Sequence, residues 1–306
     1  MTDSLPILVI VGPTASGKSD LAMTVARRTG AEVLSVDSMQ VYRGMDIGTA
    51  KPSKAEQAQV RHHLLDLVRP DEVFTVARFV ESADRTIADA AVRKAPLIAT
   101  GGTPLYYKAL FEGLFDGPGA DAEVRRRLTG LPNDELFRRL AEVDPAAAAR
   151  IRVNDLKRLV RALEVFELTG RPISSFQTDW TDPKPRHPAV WVGLSWDREA
   201  LNRRINSRVK EMLHAGWLEE ARQLLTEYGS LSKTAAEATG YRELIEHLSE
   251  RMSLEDAVEQ IKIATRQLAR RQMKWFRRFP GVVWLPGDAL LEENAESAVA
   301  AWAKTP

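Results

Sequence analysis

Residues Gly12-Pro13-Thr14-Ala15-Ser16-Gly17-Lys18-Ser19 follow the pattern GxxxxGK[ST] without a departure. Such a loop lets backbone amides converge on a phosphate at the start of a helix, where the peptide dipoles favour an anion. Lys18 adds a point charge, and the Ser19 hydroxyl is placed to ligate Mg²⁺. Asp37 lies in the stretch SVDSMQVYRGMDIGTAKP, which crowds Gln40, Tyr42, Arg43, Asp46, Thr49 and Lys51 into one loop. A carboxylate there can ligate a metal or accept a proton; it can also do no more than cap a turn. A third cluster is Gly101-Gly102-Thr103. The hydroxyls of Thr14 and Thr103 could reach a diphosphate or a nucleotide, or simply stabilise turns. Between 266 and 278, Arg266, Arg270, Lys274 and Arg277 recur every three or four residues with Arg271 and Arg278 beside them, no acid intervenes, and Trp275, Phe276 and Phe279 interleave. An acid-free cationic face suits a polyanion, although a solvated face over a core stripe has the same pattern. Lys157-Arg158-Leu159-Val160-Arg161 is a second, shorter basic run.

The phosphate loop names the anion and not the reaction. ATP or GTP is the commonest occupant, and an ATPase or kinase usually adds a second aspartate at the end of an apolar strand to hold Mg²⁺. Here the best later strand, PLIAT, runs into Gly-Gly-Thr, and no NKxD signal for guanine is present. His62 and His63 are adjacent, so on a strand they point to opposite faces and make a poor chelate.

These residues need a scaffold, and the hydrophobic pattern supplies one. The apolar run 7–11 reads as a buried parallel strand, followed by a helix over DLAMTVARR. Residues 32–36 and 96–100 read as further strands and 76–92 as a helix. The alternation implies an α/β fold with a parallel sheet, and all three candidate sites fall where ligands sit in such sheets, beyond strand C-termini. After about residue 115 the character changes. Residues 115–120 are rich in glycine and proline, 121–168 read only as helices, and 178–188 form a polar, proline-rich segment. Strand-like alternation returns over 189–196 and helices over 198–279, with a peripheral acidic tail expected after Gly287. The expected organisation is therefore a core of residues 1–115 and 187–306 carrying an all-helical insertion over 116–186.

Composition excludes several classes. The 306 residues are long for one domain. The absence of cysteine rules out disulfides, thiolate nucleophiles and cysteine-based zinc sites. With five histidines, any metal chemistry would rest on oxygen ligands, which points to Mg²⁺. The 43 basic and 42 acidic residues nearly cancel, so only their clustering can speak of partners. No segment reads as a signal peptide or a membrane span, and the expected location is cytoplasmic. No heptad seam is evident, and a monomer is expected.

Read together, GPTASGKS, DSMQVYRGMDIGTAKP, HHLLDLVRPDEVFTVARF (62–79) and GGTPLYYKAL (101–110) resemble the tRNA dimethylallyltransferase family. The resemblance continues in order through Lys157-Arg158-Leu159-Val160-Arg161, RINSRVKEMLHAGWLEEA (204–221), Gly240-Tyr241-Arg242 and RQLARRQMKWFRR (266–278), and so covers essentially the whole chain. Ser19 stands where many members carry threonine, with the same hydroxyl. A zinc-finger extension of some eukaryotic members is missing, which points to the bacterial type. The resemblance implies a P-loop NTPase-like fold whose loop, despite its nucleotide- and ATP-binding pattern, holds the diphosphate of dimethylallyl diphosphate. The implied acceptor is the exocyclic amine of the adenosine 3′-adjacent to the anticodon, in tRNAs reading codons that begin with U. It further implies Asp37 as general base, Lys18 and Arg208 on the leaving diphosphate, and Thr103 near the acceptor. Contacts to the RNA anticodon stem-loop would come from Asp37, Ser38, Met39, Gln40 and Thr103, from Arg125 and residues 157–161, from Gly240, Tyr241 and Arg242, and from Arg266, Arg270, Arg271, Lys274 and Arg277. An adenylate isopentenyltransferase, a P-loop kinase and a non-catalytic RNA-binding adaptor remain as alternative readings; the first would not need the basic runs.

Overall fold

A computed structural model describes residues 6–113, 117–176 and 185–304; parts of the expected linkers at 115–120 and 178–188 lie outside these. The chain divides into two compact units, Met1–Phe111 with Arg186–Pro306, and Glu112–Pro185.

The first unit is built on six parallel strands. They are β1 (Ile7–Val11), β2 (Glu32–Ser35), β3 (His62–His63), β4 (Leu97–Thr100), β5 (Ala189–Ser195) and β6 (Val283–Pro286), in the order β3-β2-β4-β1-β5-β6. Central β1 is buried at every residue, as an Ile/Val run covered on both faces should be. Helix α1 (Lys18–Thr29) follows β1, α2 (Lys54–Gln59) precedes β3, α3 (Val76–Arg93) precedes β4, and α4 (Pro104–Glu112) follows it. Several starts are chemically marked: Thr75 caps α3 and Ser53 forms a capping box with Glu56 on α2. One face of the sheet buries Val9, Leu34, Phe79, Tyr107 and Phe276; the other buries Leu8, Ile10, Leu21, Val25 and Val192.

The second unit contains five helices among its described residues: α5 (Ala122–Thr129), α6 (Asn133–Val143), α7 (Pro145–Ala148), α8 (Leu156–Thr169) and α9 (Ile173–Phe176). Leu128, Leu136, Leu140, Leu159 and Leu163 form its core. Glu164 is also fully buried there, and a buried carboxylate is tolerable only when paired. It accepts from the Arg125 guanidinium at 2.8 and 3.0 Å, from Arg161 at 2.6 Å and from the Asp121 amide at 2.8 Å.

The C-terminal part of the first unit comprises α10 (Arg198–His214), α11 (Trp217–Tyr228), α12 (Tyr241–Leu248), α13 (Leu254–Phe276) and α14 (Leu291–Ala303). The expected peripheral tail is corrected by α14. Ala295 and Ala298 are fully buried against α1 and β5, and the Trp302 indole donates to the Pro6 carbonyl at 2.7 Å. Small residues hid this face, because alanine carries little hydrophobic signal yet allows close helix packing. Strands β3 and β6 also went unread; two and four residues are too short to establish an alternation.

Ala295→Asp would bury an unpaired carboxylate beneath α14. The expected loss of stability is about 3 kcal/mol or more, read as a fall in the denaturant midpoint with the slope unchanged; a change below 0.5 kcal/mol would return α14 to the periphery.

Candidate active site

The C-terminal ends of β1, β2 and β4 converge on a cavity of about 360 Å³. Its lining comes from the β1–α1 loop, from the segment after β2, from Gly101–Thr103 after β4, and from helices α10, α11 and α13.

The β1–α1 loop is a backbone nest. Ala15 (φ 63°) and Gly17 (φ 88°) both sit in the left-handed region, which turns successive amides toward one point. Left-handed geometry costs an alanine about 1 kcal/mol or more, and neighbours hold it in place. Arg204 on α10 donates through Nε to the Ala15 carbonyl at 2.9 Å, and the Trp196 indole donates to the Ser16 carbonyl at 3.0 Å. The Arg204 guanidinium in turn lies 4.5 Å from the Trp196 ring centroid. Within the loop, the Thr14 amide is taken by Gln272 and the Ser16 amide by the Pro13 carbonyl, so these two do not face a phosphate. Gly12 and Pro13 are buried beneath the cradle, and Ser19 is exposed at the first turn of α1.

Lys18 stands in the cavity with its pKa lowered to about 8, first by desolvation and then by the Arg208 charge, with Asp37 and Asp20 acting in the opposite sense. Burial likewise lowers Arg208 from its ordinary value. Among the described residues the Arg208 side chain has no hydrogen-bond or ion-pair partner. Two cations share this desolvated cleft, and the nearby charges of Asp37, Asp20 and Glu211 offset the cost only in part. That arrangement is unfavourable until a polyanion enters.

Asp37 follows β2 after Val36. Its Oδ1 accepts from the Met39 amide at 2.8 Å and its Oδ2 from the Gly102 amide at 3.1 Å. Each oxygen keeps a lone pair, so the carboxylate is oriented but still able to accept a proton. Gly102 packs close to both partners: a Cβ there would stand 2.9 Å from Gln272 Nε2 and 3.0 Å from Asp37 Oδ2 and would press on those side-chain ends. The Thr103 hydroxyl accepts from the Ser38 amide at 2.9 Å and donates to Ser38 Oγ at 3.1 Å. It therefore fixes Ser38 and spends its own hydrogen there. Gln40 donates to the Thr49 and Ala50 carbonyls at 3.2 and 3.1 Å and accepts from the Ser35 hydroxyl at 2.8 Å, bracing the acidic loop from within.

The structure relocates several expected contacts. Leu159 and Val160 point into the core of the helical unit, and Arg125 and Arg161 are engaged by Glu164. Tyr241 is fully buried, with its hydroxyl donated to Glu220 Oε1 at 2.6 Å. Alternation of basic and apolar residues marks helix faces, and the apolar ones in these runs turned inward. Phe276 and Phe279 do the same: Phe276 meets Tyr107 edge-on and Phe279 stacks on Trp191, so neither presents a platform for a base. Gly240 is buried as well, while Arg242, Lys157 and Arg158 are exposed. Arg266 donates to Asn206 at 2.7 Å. Arg270, Arg271, Lys274, Arg277 and Arg278 are exposed. Among the described residues, Arg271, Lys274, Arg277 and Arg278 have no side-chain hydrogen bond or ion pair.

Sequence reasoning missed four residues. Gln272, Trp196 and Arg204 brace the cradle, and Glu220 accepts from the amides of Asp46, Ile47 and Gly48 at 2.8, 2.7 and 3.2 Å. Polar residues inside helical runs give no local sign of such roles. Val209, Met212, Trp217 and Leu268 add an apolar wall to the same cavity.

Oxygen donors gather beside the phosphate loop: the hydroxyls of Ser16 and Ser19 and the Asp37 carboxylate line the cavity, and Ser16 Oγ is buried without a partner among the described residues. No group of three or more His, Asp or Glu residues able to cage a metal occurs among the described residues. Such a set fits a Mg²⁺ shared with substrate phosphates. His62 and His63 are engaged separately, with the Val60 carbonyl and with Glu32. No helix among the described residues is long and apolar enough to cross a membrane.

A parallel sheet with a nest between its first strand and helix, cations within it and an oriented carboxylate beside it defines a P-loop phosphate-handling protein. The family model described as IPP transferase matches residues 40–279. A tRNA dimethylallyltransferase from Geobacter metallireducens is 48% identical over 293 residues, 93% of this chain and 95% of that protein. One from Roseiflexus is 42% identical, over 97% of this chain and 99% of its own length. Among solved structures, the full-length tRNA isopentenylpyrophosphate transferase of Bacillus halodurans matches with a TM-score of 0.72 at 34% identity, covering 98% of this chain and 97% of that one. A eukaryotic dimethylallyltransferase, captured acting on tRNA, matches with a TM-score of 0.81 at 28% identity, covering 97% and 78% respectively. The chain belongs to this family of tRNA dimethylallyltransferases.

The lowered Lys18 pKa has a measurable consequence. Its ammonium is the form that holds an anion, and in the ligand-free protein it is lost near pH 8. Affinity for a diphosphate should be full below pH 8 and weaken above it by up to about tenfold per unit. Lys18→Arg, which keeps the charge, should flatten that rise in donor KM between pH 8 and 9.5; a wild-type KM constant across this range would assign the binding to other groups.

Proposed function

We propose that the protein transfers a dimethylallyl group from dimethylallyl diphosphate to the exocyclic amine of the adenosine 3′-adjacent to the anticodon, in tRNAs reading codons that begin with U. Pyrophosphate is the second product. The observation that carries this reading is the oriented carboxylate of Asp37 sharing one cavity with Lys18 and Arg208. A kinase would also use a carboxylate as base; the apolar wall beside it favours a prenyl donor over a nucleoside triphosphate.

In the proposed reaction the nitrogen–carbon bond forms at the allylic carbon while its carbon–oxygen bond to the diphosphate breaks. Negative charge builds on the departing oxygens, where the free amides of the 12–19 loop, Lys18 and Arg208 are already oriented, the most effective place for fixed donors. An adenine amine is a weak nucleophile because its lone pair is delocalised, so Asp37 accepts its proton as the bond forms. Ser19, together with the substrate phosphates, would hold a Mg²⁺, which would supply further charge neutralisation to the leaving group. The apolar wall of Val209, Met212, Trp217 and Leu268 suits an allyl tail and keeps water from it.

The acceptor base must leave the stack of its loop to reach this carboxylate. Ser38, Met39 and Thr103 form the surroundings it would enter. The exposed cations at 270, 271, 274 and 277 are assigned to the RNA backbone, as are Lys157, Arg158 and Arg242. These cations favour an RNA acceptor over a free adenine nucleotide, which needs no such surface. The reading also places the protein in the cytoplasm, as a monomer.

The direct test mixes protein, Mg²⁺, labelled dimethylallyl diphosphate and an anticodon stem-loop carrying adenosine at the target position. Asp37→Asn should cut kcat by about 10²–10⁴ and leave the RNA Kd within about threefold; turnover surviving within a few-fold would remove Asp37 as the base. RNA affinity should fall by roughly 10³ between about 50 and 200 mM salt if seven cations contact phosphates, and a flat titration would discard that footprint.

A further inference from the structure

Gln272 lies on α13 within the acid-free basic run, yet its side chain is buried, with 4% of the residue's surface exposed. Its Oε1 accepts from the Thr14 amide at 2.8 Å, and its Nε2 donates to the Gly102 carbonyl at 2.7 Å. Gly102 in turn donates its amide to Asp37 Oδ2 at 3.1 Å. One amide side chain thus links the loop that holds the leaving group to the loop that orients the base. We propose that Gln272 is a positioning residue that sets the Asp37 carboxylate in register with the phosphate cradle. The proposal rests on the transferase reading above.

The geometry explains three features together. The first is the Thr14 amide, which is withdrawn from the phosphate nest although it belongs to the phosphate motif. The second is the closeness of Gly102 to both partners, where an added Cβ would press on the side-chain ends of Gln272 and Asp37. The third is the orientation of the side-chain amide. Only a group with an acceptor on one side and a donor on the other satisfies Thr14 N–H and Gly102 C=O at once, so neither glutamate nor methionine can replace it fully. The chemical need is equally specific. The cradle fixes where the allylic carbon sits, and Asp37 fixes where the amine must approach, so an error of about 1 Å between them can cost about 100-fold in rate. A residue that ties the two loops acts on that error without touching either substrate.

Gln272→Met keeps the length and removes both bonds, while Gln272→Glu keeps the bond from Thr14 and loses the one to Gly102. In the stem-loop assay, Gln272→Met should lower kcat by about 30-fold or more, and Gln272→Glu by less. Inhibition by pyrophosphate and the RNA Kd should each stay within about threefold. Introduced into Asp37→Asn, Gln272→Met should cost less than about threefold, because there is no longer a base to place; residues that act as a unit lose their effect together. An equal loss in both backgrounds, or a loss confined to diphosphate affinity, would overturn the proposal. Full activity of Gln272→Met would do the same. If Gln272→Met melts early, the Gln272→Glu comparison in the two backgrounds decides; failure of both variants to fold makes Gln272 a core residue only, and overturns it. A wild type that transfers no label would sink the transferase reading itself, whereas an active wild type with indifferent variants sinks this proposal alone.

Discussion

Two cations held in a desolvated cleft, their cost only partly offset by the carboxylates around them, make up the constraint on which the site depends. Lys18 and Arg208 raise one another's energy, and burial adds to the cost of keeping both charged. The fold supplies what keeps them together. Lys18 is fixed as the first residue of α1, directly after a strained nest, and Arg208 is fixed by a helix whose other residues pack on the same loop. Arg204, one turn before Arg208, locks the Ala15 carbonyl, so one face of α10 both presents a cation to the cleft and stabilises the backbone that faces it.

Helix α13 joins two environments along its length. Its exposed side carries cations and is open to a polyanion, while Ala269, Gln272 and Phe276 pack inward at helical spacing. The cationic surface and the glutamine that bonds to Thr14 and Gly102 therefore lie on one helix. In the helical unit the cations differ in kind. Arg125 and Arg161 neutralise a buried glutamate and support the packing; the exposed Lys157 and Arg158 lie one turn away on the same helix. Adjacent residues of one basic run thus serve different ends, according to the face on which the helix places them.

The sequence alone determined the parallel sheet around 7–11, 32–36 and 96–100, the phosphate nest, and the position of Asp37 beyond a strand end. These are local facts: a β-rich apolar run, a glycine spacing and a strand terminus are each written within a dozen residues. The family was legible for the same reason, since its motifs are contiguous. Tertiary structure decided what depends on residues far apart in the chain. It took Tyr241, Leu159 and Val160 from the surface into cores, gave Glu164 its two arginines, and turned the alanines of α14 into a packing face. It also brought Gln272 to Thr14 across 258 positions of sequence. A glutamine in a basic helix looks the same whether it faces water or joins two loops of a cavity, because the energy of a hydrogen bond depends on its partner, and the partner is chosen only when the helix docks.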